Sequence, residues 1–204
     1  METSQTLDRG LRALLVLADA SQALSMTELA ARLEISRPAA YRLIATLESH
    51  GLARRTTSGV ELGIGALRLS GGALPVLRRA AQPVLRSLAD DVGATAHLTV
   101  VDAGEALAVA VVEPSWTDVH VAYRVGLRHP LDRGAAGEAI RRGSGWVSST
   151  GQLQPGAHGV AAAVTGVAGL AASVGVVSLG TFDDATVGER VQRAARELEL
   201  ALRG

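Results

Sequence analysis

Three side chains within one short segment are suited to contacting the edges of base pairs. Arg37, Tyr41 and Arg42 fall on one face of a helix predicted to begin after Ser36. A guanidinium can bind guanine through two hydrogen bonds, and a phenol can contact bases or phosphates. The other face carries the apolar stripe that would hold the helix on a core, namely Ala40, Leu43, Ile44 and Leu47.

The flanking residues predict how this helix is positioned. Ser25 and Glu28 form the Ser-x-x-Glu pattern of a capping box, so a first short helix begins just after Ser25. Ser36 can cap the second helix, Pro38 fits its first turn, and Gly51 supplies a left-handed stop. Two such helices joined by a tight turn are typical of a helix-turn-helix, although an ordinary αα-hairpin with a solvated polar face has the same pattern.

The residues that follow predict a β-hairpin, with short strands over 52–55 and 60–62 around a polar turn. Such a hairpin would be the wing of a winged helix, where Arg54 and Arg55 could contact phosphates or the minor groove. A helix ahead of the motif is expected to brace it through an apolar stripe made of Leu7, Leu11, Leu14, Leu15 and Ala18.

Composition narrows the possible functions. The chain has no Cys, and all 20 basic residues are Arg, so thiol chemistry, Walker-type phosphate loops and lysine Schiff bases are excluded. The formal net charge of zero argues against strong non-specific binding to nucleic acid. Residues 27–55 hold only a modest excess of Arg over Glu. We therefore expect two copies to act together, as a homodimer on a palindromic operator in double-stranded DNA.

No catalytic constellation is predicted. The five histidines lie apart in the sequence without metal-ligand spacing: His50, His97, His120, His129 and His158. Residues 171–175 faintly resemble a nucleophile elbow but fall inside a predicted strand, and residues 63–65 lack the third glycine of a dinucleotide fingerprint. We expect no enzyme activity, no cofactor and no metal.

The pattern of polar and apolar segments also predicts where in the cell the protein lies. The first residues are polar and acidic, unlike a signal peptide. No uninterrupted apolar run reaches the roughly 18–20 residues that a membrane span needs. A cytoplasmic protein without membrane contact is the expectation.

Beyond the wing, glycines at 63–65 and 71–72 suggest flexible joints. An apolar stripe over 74–92 then predicts a connecting helix, kinked or broken at Pro83, whose face either contacts a second copy or packs on its own domain. From residue 94 the period becomes two, predicting a hairpin over 95–101 and 106–112, a strand over 118–125 and a hairpin over 158–164 and 170–179. Thr186 with Glu189 suggests a capping box for a final helix.

Residues 7–69 resemble the DNA-binding domain of the IclR (isocitrate lyase regulator) family of bacterial transcription factors. Residues 77–93 resemble the linker helix of that family, and 126–140 and 145–179 resemble the segments that open and close its ligand pocket. The resemblance implies an α+β chain with a winged helix-turn-helix at 1–72, a linker helix at 73–92 and a GAF/PAS-like antiparallel-sheet effector domain at 93–204. It is carried by the motifs at 27–30, 36–38, 41–48, 51–52 and 62–63.

The resemblance also implies a pocket for a small organic effector, a carboxylate or an aromatic compound. Backbone N–H groups at the start of a helix near 134–138 could hold a carboxylate. The chain departs from the family pattern because a few dozen, largely helical residues are missing after Ile140, and this gap predicts exposed apolar sheet surface unless another subunit covers it. The implied effector residues are Ala135, Ala136, Thr150, Gly159, Val176 and Ser178.

The sequence thus predicts a sequence-specific DNA-binding transcriptional regulator, a dimer or a tetramer, whose DNA binding responds to a small molecule. The alternative is a ligand-independent or architectural DNA-binding regulator whose C-terminal domain serves only oligomerisation. The residues predicted to contact DNA are Ser36, Arg37, Tyr41, Arg42, Thr46, Arg54 and Arg55.

Overall fold

The computed structural model describes residues 3–117 and 123–203. The chain divides into two compact units, Met1–Ala73 and Leu74–Gly204. None of the described helices combines the length and apolar composition needed to cross a bilayer.

The first unit contains the helix-turn-helix and wing that the sequence predicts. Ser25 Oγ accepts a hydrogen bond from the Glu28 N–H at 3.2 Å, and the Glu28 carboxylate accepts one from the Ser25 N–H at 2.9 Å, which completes the capping box. Gly51 ends the second helix of the motif with a φ of 70°. The elements of this unit are α1 (Gln5–Ala18), α2 (Met26–Arg32), α3 (Arg37–Ser49), β1 (Ala53–Thr56) and β2 (Gly59–Leu62).

Of the predicted bracing stripe of α1, only Leu14 packs against the core among the described residues, and the prediction is wrong for Leu7, Leu11, Leu15 and Ala18. Leu7, Leu11 and Leu15 are 62%, 53% and 65% exposed, whereas Ala13 and Leu17 are buried in the core of this unit. The helix carries apolar residues on two faces, and the spacing within one helix does not decide which face meets the rest of the unit.

A single helix, α4 (Ala66–Val92), follows the wing and continues from the first unit into the second. The predicted joint at 71–72 and the break near Ala81 do not occur, although Pro75 and Pro83 lie inside the helix. Each proline removes a backbone hydrogen bond, but the apolar stripe of α4 is buried and offsets that cost. The buried residues are Leu77, Ala81, Val84, Leu85, Leu88 and Ala89.

The second unit is a six-stranded antiparallel sheet with helices, as the α+β prediction requires. Its remaining elements are β3 (Thr95–Asp102), β4 (Glu105–Val112), β5 (Arg128–Pro130), α5 (Gly134–Arg142), β6 (Trp146–Thr150), β7 (His158–Val164), β8 (Ala172–Ser178) and α6 (Asp184–Arg203). The strand order is β5-β4-β3-β8-β7-β6. Both predicted hairpins are present, while β5 and β6 were not predicted. Of the strand expected at 118–125, residues 118–122 lie outside the described residues, and 123–125 form no strand.

Both faces of the sheet pack against other parts of the unit. One face forms the large core with α4 and α6. On the other, α5 covers β7 through Ala135, Ala139 and Ala161, while Tyr123 packs against Ala108. Among the described residues, none of the exposed large apolar side chains belongs to a strand. The expected bare sheet surface is therefore absent from the part of the chain that the structure describes, since the short α5 and Tyr123 cover that face.

The start of α6 differs from the predicted capping box. The helix begins at Asp184, so Thr186 lies inside its first turn, where its hydroxyl donates a hydrogen bond to the Asp183 carboxylate. A Thr-x-x-Glu pattern is compatible with positions inside a helix as well as with its cap.

Candidate nucleic-acid interface and ligand cavity

The outward face of α3 carries two arginines that have no partner among the residues that the structure describes. Ala40 and Ile44 on the other face are fully buried, which anchors the helix, and Tyr41 is 42% exposed. Within the described part of the chain, the exposed side chains of Arg37 and Arg42 make no ion pair or hydrogen bond. Their donors are therefore free for base edges or phosphates.

Arg55 on the wing is bound to α3 instead of standing free. Its Nε lies 3.2 Å from Glu48 Oε2, and its backbone N–H donates to Glu48 Oε1 at 3.0 Å. Its guanidinium carbon also lies 5.5 Å from the centre of the Tyr41 ring, a cation–π distance. These contacts fasten the wing to the helix and hold Tyr41 on the exposed side.

Arg54 is paired across the wing. It lies opposite Glu61 in the β1–β2 register, and its guanidinium forms an ion pair with the Glu61 carboxylate. The side chain of Arg54 remains 71% exposed. An exposed pair of this kind is weak, so a phosphate could compete with Glu61 for Arg54.

Two hydroxyls of the predicted DNA face already bind backbone groups. Ser36 Oγ accepts a hydrogen bond from the Ala39 N–H at 3.4 Å, as a helix cap. The Thr46 hydroxyl donates to the Arg42 carbonyl at 3.1 Å. Ser36 keeps a donor proton, and Thr46 keeps acceptor capacity, so each has one remaining way to contact DNA.

The six predicted effector residues do not share one face of the sheet. Ala135 and Ala136 begin α5, and Gly159 lies beneath them, since a Cβ at Gly159 would be 3.7 Å from the Ala135 Cβ. Val176 is instead fully buried in the core with α4 and α6, and Ser178 shares the parity of Val176 on β8.

Thr150 also lies on the α6 side, where it bonds His158. The predicted effector residues therefore lie on both sides of the sheet, with Thr150, Val176 and Ser178 on the α6 side. Because β7 and β8 are apolar on both faces, their sequence does not reveal which set of alternate residues faces α5.

The backbone donors at the start of α5 are occupied by side chains of the protein itself. The Gly134 N–H donates to Gln152 Oε1 at 2.7 Å, and the Ala135 N–H donates to Ser149 Oγ at 2.8 Å. The Arg133 guanidinium donates to the Gln152 carbonyl oxygen. Of the donors predicted to hold a carboxylate, the Gly134 N–H thus binds an amide oxygen and the Ala135 N–H binds a hydroxyl oxygen.

A cavity of about 280 Å³ lies beside this contact. Within the described residues, two of its lining side chains have a buried polar atom without a hydrogen-bond partner, the Tyr123 hydroxyl and His129 Nε2. His129 Nδ1 lies 3.0 Å from the Pro130 carbonyl, which only accepts, so Nδ1 carries a proton. The lining also includes Leu127, Arg128, Pro130, Arg133, Gln152, Leu153, Gln154, Ala157 and Val177.

Buried neutral polar groups lie next to the cavity. His97 Nδ1 is 3.2 Å from the Thr99 hydroxyl, and the His97 ring is centred 4.6 Å from the Tyr123 ring. Burial, and secondarily the charge on nearby His129, lowers the pKa of His97 to about 3. Burial also raises the pKa of Tyr123. At neutral pH, His97 and Tyr123 are therefore both uncharged.

A hydroxyl–imidazole–carboxylate relay lies on the α6 side of the sheet. Thr150 Oγ1 is 2.7 Å from His158 Nδ1, and His158 Nε2 is 2.6 Å from Asp184 Oδ1. A hydrogen bond from Ser148, followed by the bond from His158, lowers the pKa of Asp184. The relay fastens the start of α6 to β6 and β7. The relay was not predicted from the sequence, because the one feature that indicates it is the position of Thr150 opposite His158 on two paired strands.

Two family models match the chain. The IclR helix-turn-helix domain matches residues 6–57, and the C-terminal domain of the bacterial transcriptional regulator IclR matches residues 75–142. The acetate operon repressor of Salmonella typhimurium is 26% identical over 141 residues, which cover 67% of this chain and 52% of the repressor. The chain thus spans about half the length of the curated relatives that it matches.

Solved structures share the fold. IclR from Thermotoga maritima has a TM-score of 0.57 at 18% identity, covering 97% of this chain and 98% of that one. An IclR homolog from Microbacterium hydrocarbonoxydans, complexed with 4-hydroxybenzoate, has a TM-score of 0.55 at 22% identity and covers 98% and 99%.

The two family models together match more than half of the chain, on both compact units. The matched family consists of transcriptional regulators and not of enzymes. The helix-turn-helix, the connecting helix and the antiparallel sheet are the architecture of its solved members. The chain therefore belongs to the IclR family of bacterial transcriptional regulators.

Proposed function

We propose that this protein binds a specific DNA operator as a homodimer and regulates transcription there. The observation that carries this proposal is the outward face of α3, where Arg37 and Arg42 are exposed and unpaired among the described residues beside a half-exposed Tyr41. A helix anchored on one face and displaying guanidinium groups on the other suits the major groove.

The contacts divide by their chemistry. Arg37 and Arg42 supply bidentate donors for guanine, and Tyr41 contacts a base or a sugar-phosphate edge. Arg54 and Arg55 on the wing contact the backbone, with Ser36 and Thr46 near phosphates at the two ends of the outward face of α3. With a formal net charge of zero, one such domain binds weakly, so two half-sites are needed for a tight complex.

The exposed face of α1 supports pairing of two copies. Leu7, Leu11 and Leu15 follow one another at intervals of four residues and are all more than half exposed. A contiguous exposed apolar stripe is a common mark of a protein interface. We place a second copy of the chain on this stripe, which would set two α3 helices for the halves of a palindrome; a tetramer would pair two such dimers.

Selection of genomic DNA fragments by the purified protein tests the proposal directly. Selected fragments should share a palindromic sequence, and fluorescence anisotropy should show binding at least about 10³-fold tighter than to a shuffled duplex at the same salt concentration. Equal affinity for the selected and shuffled duplexes would refute sequence-specific regulation.

A small organic effector is the second part of the proposal. The cavity beside α5 supports it, together with the family match over residues 75–142. Because a related protein was crystallised with 4-hydroxybenzoate, an aromatic carboxylate is the first compound to test. An effector should raise the melting temperature by mass action and change operator affinity. If no compound does either, the second unit serves only oligomerisation.

The name of a curated relative gives the direction of control. The acetate operon repressor is a repressor, so we propose repression in the bacterial cytoplasm, where the operator DNA lies. A reporter gene behind the selected operator should then be more active when the protein is absent.

A further inference from the structure

A groove of about 620 Å³ lies between α1 and α3, within the first compact unit. It is larger than the cavity of about 280 Å³ beside α5. Most of its apolar lining is supplied by Leu7, Leu11, Leu14, Leu43, Leu47 and Leu52. A concave site of this size, lined mainly by apolar side chains with a few polar groups, is typical of a site for a small organic molecule.

The polar groups of the groove are cationic. Arg9 lines it from α1 and Arg42 lines it from α3. Both side chains are exposed, and neither makes an ion pair or a hydrogen bond within the described part of the chain. None of the described residues that line the groove is acidic. Two unpaired like charges on the two walls of one groove favour an anion between them.

A second copy of α1 fits this groove less well than a small anion does. The helix carries two arginines and one aspartate, so another α1 would bring further positive charge to a cationic groove. Leu15 belongs to the exposed stripe of α1 but not to the lining, which extends across α3 to His50 instead. The groove is therefore distinct from the stripe on which the second copy is proposed to pack.

The groove also shares residues with the proposed DNA face. Arg42 and Thr46 line it, and both are among the residues proposed to contact DNA. An anion paired with Arg42 would engage the guanidinium that the proposed guanine contact needs. Occupation of the groove and binding of the operator would therefore oppose each other.

We infer that the groove between α1 and α3 binds an organic anion with an extended apolar body, such as a medium-chain carboxylate, which competes with DNA for Arg42. The charged end pairs with Arg9 and Arg42, and the apolar body lies on the leucines. This site is separate from the cavity beside α5. The competition rests on the proposed operator binding, whereas binding of the anion does not.

Gly10 allows the groove to be filled without changing a residue of the DNA face. It lines the groove, and a Cβ at this position would meet nothing within 4 Å. Gly10→Leu should therefore fold, abolish the binding of decanoate and keep the operator affinity of the parent protein without ligand. Gly72→Leu makes the same change in α4, where a Cβ also meets nothing within 4 Å, and is the matched control.

Arg9→Gln tests the charge of the site. Decanoate should bind this variant about two- to fivefold more weakly, the range that the loss of an exposed ion pair supports. Calorimetric titration of the full chain measures the affinities, with decanol as the uncharged probe. In fluorescence anisotropy, saturating decanoate should weaken operator binding by the parent protein about 5- to 100-fold, as the loss of one bidentate contact would.

Decanoate binding that Gly10→Leu abolishes and Gly72→Leu retains would support the inference. No decanoate binding by the parent protein, unchanged binding in Gly10→Leu, or equal binding of decanol and decanoate would overturn it. A Gly10→Leu protein with half the parent mass in sedimentation equilibrium would place the second copy in the groove and overturn it as well. Decanoate binding by a parent protein that does not distinguish operator from shuffled DNA would support the site and refute only the proposed regulation.

Discussion

Glu48 of α3 holds Arg55 of the wing through both carboxylate oxygens, one on the backbone N–H at 3.0 Å and one on the guanidinium at 3.2 Å. The pair places a carboxylate beside the proposed DNA face and neutralises one of its cations. The side chains are 30% and 43% exposed, so the pair is partly screened by solvent.

Replacing Glu48 by Gln should release the Arg55 guanidinium toward DNA. Since one more cation then neutralises a phosphate, the slope of log affinity against log salt concentration should steepen by up to about 0.9, on operator and shuffled DNA alike. Glu197→Gln, an exposed position on α6, should leave the slope unchanged. Anisotropy titrations at several salt concentrations measure it; a shallower slope in Glu48→Gln would contradict the proposed wing contact.

Arg37→Ala should remove a base contact, costing about 1–3 kcal/mol of binding free energy at one operator position and relaxing specificity there. Arg32→Ala removes the same charge from α2, outside the proposed contact face, and serves as the control. Fluorescence anisotropy on operators changed at single positions measures both the loss of binding free energy and the loss of specificity. Equal losses on operator and shuffled DNA would assign Arg37 to the phosphate backbone instead.

Leu11→Glu should dissociate the dimer, because it puts a charge in the middle of the exposed α1 stripe. Leu11 is 53% exposed within the single chain, so the fold itself should tolerate the change. Leu200→Glu makes the same substitution at a 70% exposed position of α6 and should leave assembly intact. Sedimentation equilibrium reports the mass; a Leu11→Glu dimer as tight as the parent would place the interface elsewhere.

His97 should make the protein less stable in acid. Burial, with a smaller contribution from the charge on His129, lowers the pKa of His97 to about 3, against 6.5 when unfolded. At pH values below the unfolded pKa, the unfolded chain therefore binds one proton more than the folded chain does. The contribution of the neutral, buried His97 to the free energy of unfolding is complete above the unfolded pKa, and it is lost as the pH falls toward the folded pKa.

From about pH 7 to about pH 5, the free energy of unfolding should drop by about 2 kcal/mol more in the parent than in His97→Gln. Urea unfolding at several pH values measures the difference. His50→Gln, at an exposed histidine, should follow the parent curve. Parallel curves for the parent and His97→Gln would show that His97 titrates normally in the fold.

Two glycine-to-alanine substitutions should have opposite effects on stability. A Cβ at Gly188 in α6 would lie 2.3 Å from the Trp146 ring, so Gly188→Ala should lower the free energy of unfolding by about 1–3 kcal/mol. A Cβ at Gly71 in α4 meets nothing within 4 Å, so Gly71→Ala should raise it by about 0.5–1 kcal/mol. Urea midpoints measure both. A stabilising Gly188→Ala would mean that Trp146 moves freely.

The DNA-binding unit was largely predictable because its signals are local. The capping box of Ser25 and Glu28, the Ser36 cap and the Gly51 stop each join groups only a few residues apart. The same holds for the paired strands β3 and β4, whose turn lies between them in sequence. Short-range hydrogen bonds and side-chain periodicity depend only on the order and spacing of residues along the chain, so they can be predicted from the sequence.

The tertiary structure alone decided which faces meet and which distant groups touch. It exposes Leu7, Leu11 and Leu15 instead of burying them, and it carries α4 through two prolines because the packed face offsets their cost. It also turns Val176 toward α6 and brings Gln152 to Gly134, 18 residues away. Such contacts depend on how separate elements pack, and residue spacing within one element carries no information about its neighbours.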